Sequence, residues 1–207
     1  AEDITVVAVD GYRLALRREK IENPEERILN FVAPSPALRE VEKILGDTDD
    51  SVSFTLGTKH IMFQIGNATL VCRLLEGEFL DWRRVVPTDN PIRLAINVKN
   101  MTESLERVSL IVSEKLKSPV RCTFGENVVA LRTSNSIGNA YDECPTAGSG
   151  GDMEIGFNCK YLLEALRAVP TENISMELKT NLSPAVITPC EGDKFTYMVL
   201  PVRLKAE

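Results

Sequence analysis

The feature that most constrains the fold of this chain is an internal repeat in the order of its secondary-structure signals. In the first full copy, Arg27-Ile-Leu-Asn-Phe-Val-Ala33 reads as a strand, and Pro34-Ser35-Pro36 opens an amphipathic stretch with Leu38, Val41, Ile44 and Leu45 at helical spacing. Alternating runs at 51–56, 60–65 and 68–75 follow as strands. A second copy starts at Ile92-Arg-Leu-Ala-Ile-Asn97 and continues into a helix from about Lys99, with Met101, Leu105, Val108 and Val112 apolar, then strands near 119–124, 127–133 and 137–144. The third runs through Met153-Glu-Ile-Gly-Phe157, a helix carrying Tyr161, Leu162, Ala165, Leu166 and Val169, and strands near 173–179, 184–189 and 195–203. Helix starts lie about 60 residues apart, longer than solenoid repeats. One helix on a few strands cannot cover its own sheet, so these units are expected to pair into domains. The opening residues 4–9 and 13–20, joined at Asp10-Gly11, match only the last two strands of a unit. The expected fold is α+β, with repeated strand-helix-three-strand units and helices on one face of antiparallel sheets. Residues 1–87 then form an incomplete domain and residues 88–207 a complete one, and the chain reads as the C-terminal part of a longer protein.

Composition narrows the function. With 24 Lys and Arg against 30 Asp and Glu the net charge is -6, which argues against a nucleic-acid binder held by its overall field. No run approaches the roughly 18 apolar residues of a membrane span. The first residues, Ala1-Glu2-Asp3, are acidic where a signal peptide would be basic, so a soluble, cytoplasmic chain with no membrane partner is expected. The cysteines, Cys72, Cys122, Cys144, Cys159 and Cys190, form no C-x-x-C pair and lack a histidine partner, which predicts buried thiols and no metal site. The single histidine, His60, falls at an expected hairpin end. Phosphate-loop, dinucleotide and H-E-x-x-H patterns are absent, and no cofactor is expected. The enzymatic alternative is a cytosolic hydrolase or transferase using Cys72 or Cys159; the bland one is a scaffold of the same half-domains without a DNA role.

Four segments, in order and at compatible spacing, carry a resemblance. Val7-Ala-Val-Asp-Gly-Tyr-Arg-Leu-Ala15 is similar to the T-D-G-H-R-L segment of bacterial sliding clamps, the beta subunits of DNA polymerase III. Gly77-Glu-Phe-Leu-Asp-Trp-Arg-Arg-Val-Val-Pro87 resembles that family's G-x-[FY]-P-[DN]-[YW]-x-x-[VL]-[IL]-P, and Met153-Glu-Ile-Gly-Phe-Asn158 with Tyr161 and the terminal Tyr197-Met-Val-Leu-Pro-Val-Arg-Leu204 complete the set. Val9 stands where the family has threonine, Tyr12 where it has histidine and Leu80 where it has proline, and Lys205-Ala206-Glu207 extends past the usual end.

The resemblance implies a DNA clamp fold and a non-catalytic processivity factor, a head-to-tail homodimeric ring that encircles double-stranded DNA without reading its sequence. It implies as partners the DNA polymerase III catalytic subunit, the clamp loader and other replication and repair proteins with a clamp-binding motif, which dock a short peptide in a hydrophobic groove. Matched position by position, that groove comprises Val9, Gly11, Tyr12, Arg13 and Leu14; Leu80, Arg84 and Val85; Leu116; Asn158 and Tyr161; Leu182 and Pro184; and Met198, Val199, Leu200, Pro201, Val202, Arg203 and Leu204. Its Met, Tyr and Arg side chains suit an adaptable apolar wall, an aromatic wall with a polar tip and a donor for a peptide carbonyl or carboxylate. Basic residues on the helices, Arg39, Lys43, Lys99, Arg107, Lys160 and Arg167, would face phosphates, or else pair with neighbouring glutamates on a solvated helix face. Leu110 and Ile111, with the strand from Pro119 to Phe124, would form the subunit contact, core burial being the alternative for the two apolar residues.

Overall fold

The computed structural model describes residues 3–21, 28–47, 51–112 and 118–204. These pack as two units, one drawn from Pro24–Asp81 and the other from Glu2–Asn23 together with Trp82–Glu207. In packing terms the opening hairpin therefore goes with the later strands, whereas the repeat pattern groups it with residues up to 87.

The small unit holds α1 (Ser35–Leu45) and the antiparallel strands β3 (Ser53–Leu56), β4 (His60–Ile65) and β5 (Ala68–Arg73), in the order β3-β4-β5. Alternation along β4 buries Ile61, Phe63 and Ile65 while Met62 and Gln64 face outward, which is how a half-covered sheet is written. Val41 of α1 joins that cluster, with Leu45, Phe54 and Leu70 packed around it. Pro36 sits in the first turn of α1, where a missing N–H costs nothing, and Gly46 at φ 61° ends the helix. The strand expected at 27–33 is not formed: residues 28–33 are irregular, and Arg27 lies outside the described residues. One backbone bond, from the Leu75 N–H to the Val32 carbonyl at 2.9 Å, links this stretch to the chain beyond β5, and a strand needs a ladder of such bonds.

The large unit is built on an eight-stranded antiparallel sheet. Its strands are β1 (Asp3–Val9), β2 (Arg13–Lys20), β6 (Ile92–Asn97), β7 (Val120–Asn135), β8 (Gly138–Phe157), β9 (Asn173–Leu178), β10 (Ala185–Pro189) and β11 (Phe195–Val199), in the order β1-β2-β11-β10-β9-β6-β8-β7. Two helices, α2 (Val98–Ser109) and α3 (Cys159–Arg167), pack with one face of it. Every second residue of the central strands points into that core: Leu94 and Ile96, Ile174, Met176 and Leu178, Phe195, Tyr197 and Val199. Each side chain of this size contributes about 1.5–3 kcal/mol when fully buried. Both helices start at an asparagine whose side chain accepts a backbone N–H, Asn97 from Asn100 and Asn158 from Lys160, each at 3.0 Å. The strands expected separately at 119–124 and 127–133 run on as β7, and those at 137–144 and 153–157 as β8, with register shifts around Glu126 absorbing the irregularity. None of the helices among the described residues is long and apolar enough to cross a membrane.

Candidate functional site

Strands β2 and β11 pair with Met198 opposite Leu14 and Thr196 opposite Leu16. Because side chains alternate, Leu14, Leu16 and Met198 lie on the sheet face away from the helices, while Tyr197 and Val199 enter the helix-covered core. With Val186 of β10 they form a separate apolar cluster, against which Val7, Trp82 and Val86 pack half-buried. Trp82 opens a single 3-10 turn, and its carbonyl accepts the N–H groups of Val85 and Val86, both at 3.1 Å. The guanidinium of Arg83 lies 4.5 Å and that of Arg18 5.7 Å from the Trp82 ring. Val9, Val85 and Val202 are each more than a third exposed, Leu182 is 67% exposed, and Pro184 is half-buried just before β10.

The C-terminal run leaves the sheet as a proline should. Leu200 donates its N–H to the Tyr12 carbonyl at 2.9 Å, Pro201 has none to donate, and Val202 donates to the Gly156 carbonyl at 2.7 Å. The chain thus passes from β2 to the end of β8. A side chain on Gly156 would come within 2.5 Å of a Leu204 methyl and 2.7 Å of the Val202 carbonyl, so close approach requires glycine here. Arg203 is exposed and Leu204 half-buried.

Where the hairpin turns, Asp10 Oδ1 accepts the N–H groups of Tyr12 at 2.8 Å and Arg13 at 3.1 Å. Its Oδ2 takes Arg13 Nε at 3.1 Å, and Arg13 Nη1 pairs with Glu164 of α3. Arg13 also lies 4.5 Å from the Tyr161 ring centre, and Tyr12 stacks on Tyr161 at 5.9 Å and 27°. Partial burial, the largest single influence on Asp10, pushes its carboxyl up, but the Tyr12 N–H and Arg13 outweigh it and hold the group below its usual value. The Glu164 bond raises Arg13 further above its ordinary value.

The structure therefore brings together Val9, Gly11, Tyr12, Arg13, Leu14, Tyr161, Met198 and Leu200 around the β2–β11 seam and α3. Val199 belongs to the helix-side core, and the Asn158 side chain is engaged as the α3 cap. Arg84 and Val85 extend the Trp82 turn, Leu80 is exposed in the small unit, and Leu116 lies outside the described residues. Leu16, Val186 and Glu164 lay outside the expected site, and Asp10, Trp82 and Gly156 stood in the quoted segments without a groove role. The period-2 alternation from Leu14 pointed to Leu16; no sequence signal places Glu164 beside Arg13.

The basic helix residues are mostly paired. Lys43 meets Glu40 at 2.6 Å, Lys99 meets Glu103 at 3.9 Å and Arg167 meets Glu106 at 2.7 Å. Arg107 pairs with Asp142, whereas Arg39 and Lys160 are exposed. Leu110 is 84% exposed at the end of α2, Ile111 is half-buried, and β7 is an edge strand of the sheet. A separate pocket of about 260 Å³ lined by Arg93, Ser175, Glu177, Thr188 and Thr196, among others, contains none of the expected site residues.

Of the thiols expected to be buried, Cys122, Cys144 and Cys159 are, whereas Cys72 is half-buried and Cys190 exposed. Cys159 and Cys144 are buried, and burial raises each thiol to about 11. Cys72 lies in β5 with its thiol on the Arg73 carbonyl, and His60 is exposed at the start of β4. Among the described residues no group of His, Cys, Asp and Glu could hold a metal ion.

Comparison with known proteins bears on the fold and the family. The family profile for the DNA polymerase III beta subunit, C-terminal domain, matches residues 83–203, and that for the central domain matches residues 1–81. The beta sliding clamp of Staphylococcus epidermidis is 30% identical over 203 residues, covering 97% of this chain and 54% of that protein. The DNA polymerase III beta subunit of Thermotoga maritima superposes with a TM-score of 0.88 at 31% identity, over 99% of this chain and 55% of that one. The DNA polymerase sliding clamp of Pseudomonas aeruginosa gives 0.90 at 27% identity, over 98% and 56%. The chain thus spans about half the length of the relatives it matches, and its fold and four sequence segments place it in their family: it belongs to the DNA polymerase III beta subunits, the bacterial sliding clamps.

Proposed function

We propose that this chain is part of a non-catalytic DNA polymerase processivity factor, with residues 1–87 from its second domain and 88–207 its third. The observation that carries this reading is the apolar cluster of Leu14, Leu16, Val186 and Met198, packed with Trp82 and Val86 and followed by the C-terminal run through Pro201, its four core residues inside the segments matched by the family. The cluster itself is buried, and the exposed Val9, Tyr12 and Val85 with half-buried Arg13 around it suit a short peptide with hydrophobic anchors. The peptide would come from the polymerase catalytic subunit, the clamp loader or other replication proteins.

In the intact protein two subunits would close head to tail around double-stranded DNA in the cytoplasm. The open edge of β7 and the exposed Leu110 support a subunit contact there, since a strand edge and an apolar side chain both gain from a partner. Lys99, Arg107, Lys160 and Arg167 would face the phosphates. The glutamate and aspartate neighbours of Lys99, Arg107 and Arg167 weaken those contacts, which favours sliding over tight binding.

A fluorescent peptide of the Gln-Leu-x-Leu-Phe kind is expected to bind with micromolar affinity, about −8 kcal/mol. Met198→Ala combined with Leu200→Ala should abolish the binding; unchanged affinity would remove the groove. For the intact protein, retention on circular DNA and loss on linearisation is expected, and equal retention on both forms would exclude encirclement.

A further inference from the structure

Arg13 is held from three sides. Its Nε is held by Asp10, its Nη1 by Glu164, and its guanidinium lies over Tyr161. Glu164 and Tyr161 are three residues apart on α3, so they share one helix face and approach Arg13 together. Asp10 acts twice, closing the turn through the Tyr12 and Arg13 N–H groups and bonding the Arg13 side chain. The Tyr12 carbonyl is in turn tied to the Leu200 N–H, so the turn is linked to α3 through Arg13 and to the C-terminal run through Tyr12.

We propose that Asp10 and Glu164 are positioning residues of the peptide groove: through Arg13 they hold Tyr161 against Tyr12 and set the aromatic wall. Arg13 then orients that wall and does not serve as the receptor for a ligand carboxylate. An incoming carboxylate would meet two carboxylates already on the guanidinium, and the like charge opposes it. The inference rests on the groove reading above, and it assigns to Asp10 and Glu164 a role that the resemblance did not supply.

The test uses the chain as it stands, with its tyrosine rings followed by NMR and its affinity measured for the Gln-Leu-x-Leu-Phe peptide, once with a free terminal carboxylate and once as the amide. In the free protein, Glu164→Gln should erase the Tyr12–Tyr161 inter-ring contacts, and Glu164→Asp should restore them at least in part. Both peptides should weaken alike on Glu164→Gln, by about five-fold, which corresponds to about 1 kcal/mol. Unchanged ring contacts in Glu164→Gln would overturn the proposal. So would a carboxylate preference of about ten-fold that Arg13→Gln removes, since that is a direct charge contact. If the unmodified chain binds neither peptide, the groove reading fails, and the ring contacts of the free protein still decide whether Glu164 positions Tyr161.

Discussion

The two faces of the sheet at β2 and β11 are made by alternate residues of the same strands, yet they are covered in different ways. On one face Phe195, Tyr197 and Val199 lie in a continuous core with α2 and α3. On the other, Leu14, Leu16, Met198 and Val186 form a small cluster with only half-buried Val7, Trp82 and Val86 packed against it. The helix face is finished within the unit, with Tyr197 even placing its hydroxyl on the Ala168 carbonyl at 3.0 Å. The outer face is bordered by exposed apolar residues such as Val9 and Val85. In β11 the odd-numbered positions therefore close the helix-side core, while Met198 at an even-numbered one joins the opposite cluster.

The contrast can be broken most forcefully from the core side. Phe195→Ala should destabilise the chain by about 3–5 kcal/mol, as large-to-small changes in closed cores do, read by urea unfolding. A loss equal to that of an exposed site would show the helix face to be less tightly packed than its burial indicates. Met198→Ala should cost less, about 2 kcal/mol, because a small cluster packed by only partly buried neighbours relaxes more easily. It should instead take its main toll on peptide affinity, so equal stability losses at 195 and 198 would erase the distinction between the faces. The smallest expected effect concerns Asp10 at the seam. Its carboxyl is held below the ordinary value of 3.8, so its contribution is fully present above that value and is lost as pH falls through the lower folded-state value. Acid unfolding of Asp10→Asn should therefore lack part of the pH dependence below 4 that the parent shows, and superimposable acid curves would count against the turn's role.

Much of the architecture was legible in the residues. The apolar spacing of Met101, Leu105 and Val108 gave α2, and the alternation around Asp10-Gly11 gave the β1–β2 hairpin, because both periods are local. The strand expected at 27–33 failed for the opposite reason: a strand exists only where another strand takes up its hydrogen bonds, and the sequence does not name that neighbour. At the site, Met198, Leu14 and Tyr12 were reached through the resemblance, and their period-2 pattern shows which of them share a face. Asn158 illustrates the limit, since its side chain is occupied as a helix cap, a role that depends on where α3 begins.

Local order, the repeat of units and the absence of a familiar catalytic motif were readable from the chain alone, because propensity, periodicity and spacing act over a few residues. The partners of Arg13 were not. Glu164 lies 151 positions away, and the two meet only because β2 joins β11 while α3 packs on that sheet. The same holds for Gly156, whose missing side chain matters only once Val202 and Leu204 cross it. Contacts between segments distant in sequence depend on which strands neighbour each other, and that order is settled by the joint burial of many side chains, not by any one stretch of them.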